Sequence, residues 1–121
     1  MPAELAEAAP PSGDLPGYAE RLLAHHRAHP EALRLVMWEA LEIGDRPVPA
    51  EEARTRHYQD KIDSAESGGQ GGDARSCVFF TLALASWSIA MPQLRRMVLG
   101  PDHSLDDLRA EVARAVRALP E

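Results

Sequence analysis

The chain has 121 residues, with thirteen basic against nineteen acidic side chains and a formal charge of −6. That length suits one compact domain, and hydrophobic and charged shares of 45% and 26% exclude a chain disordered throughout. The acidic balance is the wrong sign for a surface that neutralises phosphates unaided, and the single cysteine, Cys77, can build no internal disulfide, so a reducing, cytoplasmic setting is expected.

The amino-terminal "MPAELAEAAPPSGDLPG" has neither a basic n-region nor an apolar h-region, so no secretory signal is expected there. Residues 1–14 read as a loose tail closed by Pro10-Pro11-Ser12-Gly13. The domain proper is expected over 15–121. Asp14 or Leu15 opens the first helix, because Pro16 suits a first turn in which its missing N–H costs nothing. Tyr18, Leu22, His25 or His26, and His29 then share one stripe.

Pro30 ends that helix and opens the next, with Glu31 near its positive end. In "PEALRLVMWEALEIG" Leu33, Val36, Met37, Ala40 and Leu41 follow i, i+3, i+4, i+7, i+8, and Leu35 and Trp38 extend the apolar surface to a neighbouring face. Gly44 is the expected C′ residue. Pro49 begins a third helix running to about Ser67, with only Ala53, Tyr58, Ile62 and Ala65 to turn inward. "SGGQGGD" cannot remain helical and lacks the Gly-Lys-Ser/Thr of a phosphate loop.

Asp73 caps the most apolar stretch, "SCVFFTLALASWSIAMPQLRRM", residues 76–97. Its uncharged part is too short for a membrane span, which needs about twenty predominantly apolar residues, and Pro92 marks a bend or an end. Beyond Gly100-Pro101, Ser104 and Asp107 resemble a capping box with a shorter acid. Leu105, Leu108, Val112, Val116 and Leu119 form one seam at spacings of three and four. No alternating strand pattern occurs, so the expected class is all-α with about five helices.

Chemistry-bearing residues are sparse. His25 and His29 stand one turn apart with His26 close by, a spacing that can hold a metal when a third ligand approaches, but no His-Glu-x-x-His pattern accompanies them. Cys77, followed by Val78, Phe79 and Phe80, reads as a buried, inert thiol rather than a nucleophile. No pattern asks for a cofactor, and no constellation points to an enzyme. The large residues Met37, Trp38, Tyr58, Phe80, Leu84, Trp87 and Met91 either fill an ordinary core or line a cleft for an apolar molecule, with Tyr58, His25 and Thr81 as polar handles.

"AHPEALRLVMWEALE", residues 28–42, with His29-Pro30-Glu31 and Trp38-Glu39, and "ALASWSIAMPQLRRMVLG", residues 83–100, with its late Pro92, together resemble the effector-binding half of the tetracycline-repressor (TetR) family of bacterial transcription regulators. The resemblance covers residues 15–119. It implies an all-α bundle that senses a small molecule and dimerises through its last two long helices. Family members begin with a helix-turn-helix DNA reader, which nothing before Tyr18 resembles, so DNA is expected to be met only through a domain outside this chain. The ligand is expected against Met37, Trp38, Leu41, Tyr58, Phe80, Leu84 and Trp87. The partner copy is expected on Val78, Leu82, Ala85, Ser86 and Ile89, joined by Leu105, Leu108, Val112 and Val116. A homodimeric interaction module with a filled core, and a metal protein or enzyme using His25, His26 and His29, are the alternatives.

Overall fold

The computed structural model describes residues 14–67 and 73–119; the expected tail, apart from Asp14, and most of the glycine-rich loop lie outside them. Among the described residues there are six α-helices and no strand: α1 (Leu15–Ala28), α2 (Pro30–Ile43), α3 (Glu51–Ser67), α4 (Ala74–Ala90), α5 (Pro92–Leu99) and α6 (Leu105–Arg117). The helix boundaries follow local chemistry. Asp14 accepts a hydrogen bond from Gly17 N at 3.1 Å, with Pro16 in the first turn of α1. Asp73 does the same for Ser76 N at 3.2 Å, and Ser104 accepts from the amides of both Asp106 and Asp107. Each cap satisfies an amide that the helix cannot.

Proline divides the chain twice by one device. His29 (φ −130°, ψ 62°) and Met91 (φ −119°, ψ 66°) both leave the helical region immediately before a proline that starts the next helix, as the ring's clash with the preceding residue requires. The long apolar stretch is therefore two helices rather than one, with α4 and α5 meeting at 89°. No single helix among the described residues is long and apolar enough to cross a membrane.

α3 begins two residues later than its Pro49 suggests. Ala50 takes a left-handed conformation (φ 58°), and the Glu51 side chain reaches back to accept from Val48 N at 3.1 Å, so the first helical residue is Glu51. Gly44, also at positive φ (66°), closes α2 as expected.

α4 is the central element, packed against α1, α2, α3 and α6, while α1 also lies along α6. Tyr18, Leu22, Leu23 and Thr81 are the largest fully buried side chains. The hydroxyls of α4 are accommodated by back-bonding: Thr81 Oγ1 donates to Cys77 O at 2.7 Å, Ser86 Oγ to Leu82 O at 2.7 Å and Ser88 Oγ to Leu84 O at 3.0 Å. An apolar helix thus carries polar groups without leaving them unsatisfied. Cys77 is buried.

α2 is held differently. Only Leu33 is buried on it, while Leu35, Trp38 and Leu41 are exposed, Leu41 by 76%. The inward stripe expected through Ala40 and Leu41 ends at Met37, and Ala40 and Leu41 are exposed. A bidentate pair fastens that end, with Arg54 Nη1 and Nη2 donating to Glu39 at 2.6 and 3.0 Å. Across the bundle, Arg27 on α1 pairs with Asp106 on α6 at 3.0 Å.

Candidate functional site

Four helices surround a cavity of about 140 Å³. Leu22, Leu33, Val36, Met37 and Leu82 make its apolar wall. Its polar lining comes from Tyr18 and His26 on α1, Tyr58 and Lys61 on α3, and Ser86 on α4. The α3 contribution follows from spacing: Tyr58, Lys61, Ile62 and Ala65 fall at i, i+3, i+4 and i+7, one stripe of a helix. Lys61 is thereby turned inward.

Lys61 is only 3% exposed. Its Nζ lies 5.9 Å from the centroid of the Tyr18 ring and 5.8 Å from that of Tyr58, within the range over which a ring face attracts a cation. No carboxylate among the described residues forms an ion pair with it. Burial consequently lowers the lysine's pKa from its ordinary value, with the charge of Asp60 opposing the shift. Burial also raises both tyrosines, Tyr18 with a smaller push from Tyr58. Both phenols therefore stay neutral near pH 7.

His26 is 2% exposed, and its Nδ1 is the one buried side-chain nitrogen or oxygen among the described residues that has no hydrogen-bond partner. Burial, aided by the charge of His25, depresses its pKa to about 4. The ring is thus neutral near pH 7, with one nitrogen able to donate and the other to accept. The three histidines diverge: the His25 and His29 rings meet at a tilt of 41° with centroids 4.9 Å apart, while His26 lines the cavity. Among the described residues no three His, Cys, Asp or Glu side chains gather closely enough to hold a metal.

The seven residues expected against a ligand are divided among three places. Met37 and Tyr58 line the internal cavity. Met37 also joins Trp38 and Leu41 in an outer groove of about 510 Å³ between α2 and the α4–α5 bend. Phe80, Leu84 and Trp87 line a separate depression of about 450 Å³ with Leu119 on the outer side of α4. Phe80 and Trp87 are 48% and 52% exposed, on the outer side of α4 rather than in the internal cavity.

The residues expected on the partner surface lie mostly inward. Val78, Ala85, Leu108, Val112 and Val116 are buried within their own domain, and Leu82, Ile89 and Leu105 pack against that core. Ser86 lines the internal cavity. The reason lies in α4, which is apolar around its whole circumference, so periodicity cannot tell its inner side from its outer. Contact with α1 and α6 turns Val78, Thr81 and Ala85 inward, leaving Phe79, Phe80 and Trp87 outside.

Residues 14–118 match the family described as "Tetracyclin repressor-like, C-terminal domain". The chain belongs to this family. The TetR-type domain is a regulatory domain of transcription factors and not an enzyme family, and its all-α class agrees with the helices found here. The chain is also 35% identical over 113 residues to the HTH-type transcriptional repressor SCO4008 of Streptomyces coelicolor, an alignment covering 88% of this chain and 59% of that protein. The chain thus spans less than two thirds of that relative's length.

Of the cavity lining only Met37 and Tyr58 are among the residues expected against a ligand; Lys61 and the inward His26 are among those left out, and Leu82 and Ser86 are expected on the partner surface instead. A lysine in a polar helix reads as solvated, and only its place on the stripe of Tyr58, Ile62 and Ala65 could have signalled otherwise. His26 was one of two options at its stripe position, and the register of Leu22 and Leu23 decides between them.

Proposed function

We propose that residues 15–119 form the effector-sensing and dimerisation domain of a TetR-like transcriptional regulator acting in the cytoplasm. The effector is a small molecule with a largely apolar body that enters the cavity between α1, α2, α3 and α4. One observation carries this reading: a TetR-type domain frames a partly open hollow of about 140 Å³ whose apolar walls surround a few inward polar groups, the composition common to small-molecule sites. Its volume is close to the roughly 150 Å³ of an engineered cavity that accepts benzene.

Two copies pair through the outer side of α4. Phe79, Phe80 and Trp87 are exposed there with the small Ala83 between them. Large apolar residues grouped at helical spacing favour burial against a partner, and Ala83 permits close approach. This face replaces the one expected from sequence. DNA is read by a helix-turn-helix segment that residues 14–118 do not supply. The ligand acts by binding two orientations of the paired domains with different affinity, which changes the affinity for DNA.

Light scattering at micromolar concentration should give twice the mass of one chain. The double variant Phe80→Glu, Trp87→Glu should give a monomer with unchanged helical content, because four charges would face one another across the axis. A dimer that survives this change would refute the α4 assignment. A thermal-shift screen with small aromatic compounds tests the cavity, since a ligand that binds only the folded state raises Tm with its concentration. Uniformly flat melting temperatures would refute an effector site there.

A further inference from the structure

We propose that the cavity takes a small aromatic carboxylate, its anionic group against Lys61 Nζ and His26 Nδ1 and its ring against Leu22, Leu33 and Met37. The inference rests on the cavity being the effector site and adds the charge of the occupant. Two independent features of the lining ask for an anion. Lys61 is buried with a cation's charge and no carboxylate partner among the described residues, only the two tyrosine ring faces. Cation–π contacts offset only part of the cost of burying an ammonium. A carboxylate would offset far more of it, because hydrogen bonds between two charged groups are roughly twice as strong as neutral ones.

His26 Nδ1 supplies the second feature. A buried nitrogen without a partner carries a desolvation penalty that a ligand can remove. In the Nδ1–H tautomer the neutral ring donates to a carboxylate oxygen without a second buried charge. A neutral apolar ligand would leave both groups unsatisfied. A cationic one would meet Lys61 and compete with it for the same rings of Tyr18 and Tyr58. The wall of Leu22, Leu33 and Met37 then selects a flat apolar body, and a volume of about 140 Å³ limits it to roughly one ring.

Isothermal titration of the 121-residue chain with benzoate, its neutral analogue benzamide and the cation benzylammonium separates the possibilities. Benzoate should bind at least tenfold more tightly than benzamide, and benzylammonium should not bind. Lys61→Met should weaken benzoate by at least tenfold while leaving benzamide unchanged, and His26→Gln should weaken benzoate by a smaller factor. Lys61→Gln provides the same comparison should the methionine variant fold poorly. Benzamide or benzylammonium binding as tightly as benzoate, or benzoate binding that survives loss of the lysine, would overturn the anionic assignment while leaving the cavity as an effector site. No binding by any of the three would overturn both.

Discussion

Acidification should destabilise the domain through His26, by an amount the structure allows to be worked out. The imidazole pKa falls from 6.5 to about 4 on folding, chiefly because burial penalises the charged ring. Between these values the unfolded chain binds a proton that the folded chain does not, so stability rises with pH in that window. The contribution is fully present above pH 6.5 and is lost as pH falls toward 4. From pH 7.5 to pH 5 the shift corresponds to about 1–2 kcal/mol. With a urea slope of about 2 kcal/mol/M for a chain of this size, the midpoint should move by about 0.5–1 M. Urea titrations of the wild-type and His26→Gln chains at fixed protomer concentration isolate the effect, because every other titrating group is common to both. The wild type should lose stability faster than the variant on acidification. Parallel losses would show that His26 is not held neutral in the interior, and the description of the cavity lining would fail with it.

Two further changes probe the local geometry that frames the site. Ser104→Ala removes the acceptor for the amides of Asp106 and Asp107 and should cost about 1 kcal/mol in a urea titration; an unchanged midpoint would mean water replaces the cap fully. Ala50→Gly relieves a left-handed alanine at the start of α3, a strain of about 1–2 kcal/mol set against an entropic cost of about 0.4–1 kcal/mol. A net gain of about 0.5–1 kcal/mol is expected, and a measured loss would contradict the backbone conformation at that position.

The helices were legible wherever a local rule acts alone. The start of the first helix at Asp14 or Leu15, Asp73 as a cap, Pro30 and Pro92 as breaks, Gly44 as a stop and Ser104 as a start are all decided within four residues of chain, and all stand in the structure. The Pro49 start failed because a neighbouring carboxylate, Glu51, engages the backbone before the proline and displaces the first turn. Facing was less accessible. On α6 the polar residues confine the seam of Leu108, Val112 and Val116 to one side, but nothing local says whether that side meets α1 or a second copy; the packing of α1 along α6 decides it. On α2 the same uncertainty runs the other way, and an apolar stripe continues past Met37 through Trp38 and Leu41, both exposed along the outer groove.

The apolarity of α4 around its whole circumference has a mechanical consequence for the proposed regulator. Leu82 and Ser86 on this helix line the internal cavity, while Phe79, Phe80 and Trp87 stand on its outer side. A ligand pressed against Leu82 and Ser86 can therefore act on the partner surface through one rigid element, with no chain of intermediate contacts to traverse. The same helix ends at the 89° bend before Pro92, so rotation of α4 about its own axis also swings α5. Rotation is resisted on the inner side by the buried Val78, Thr81 and Ala85, on a helix that packs against α1 and α6. Such packing allows discrete arrangements rather than continuous drift. A ligand is then effective only when it favours one arrangement over another, and Lys61 and His26 on α3 and α1 supply the fixed points against which α4 would move.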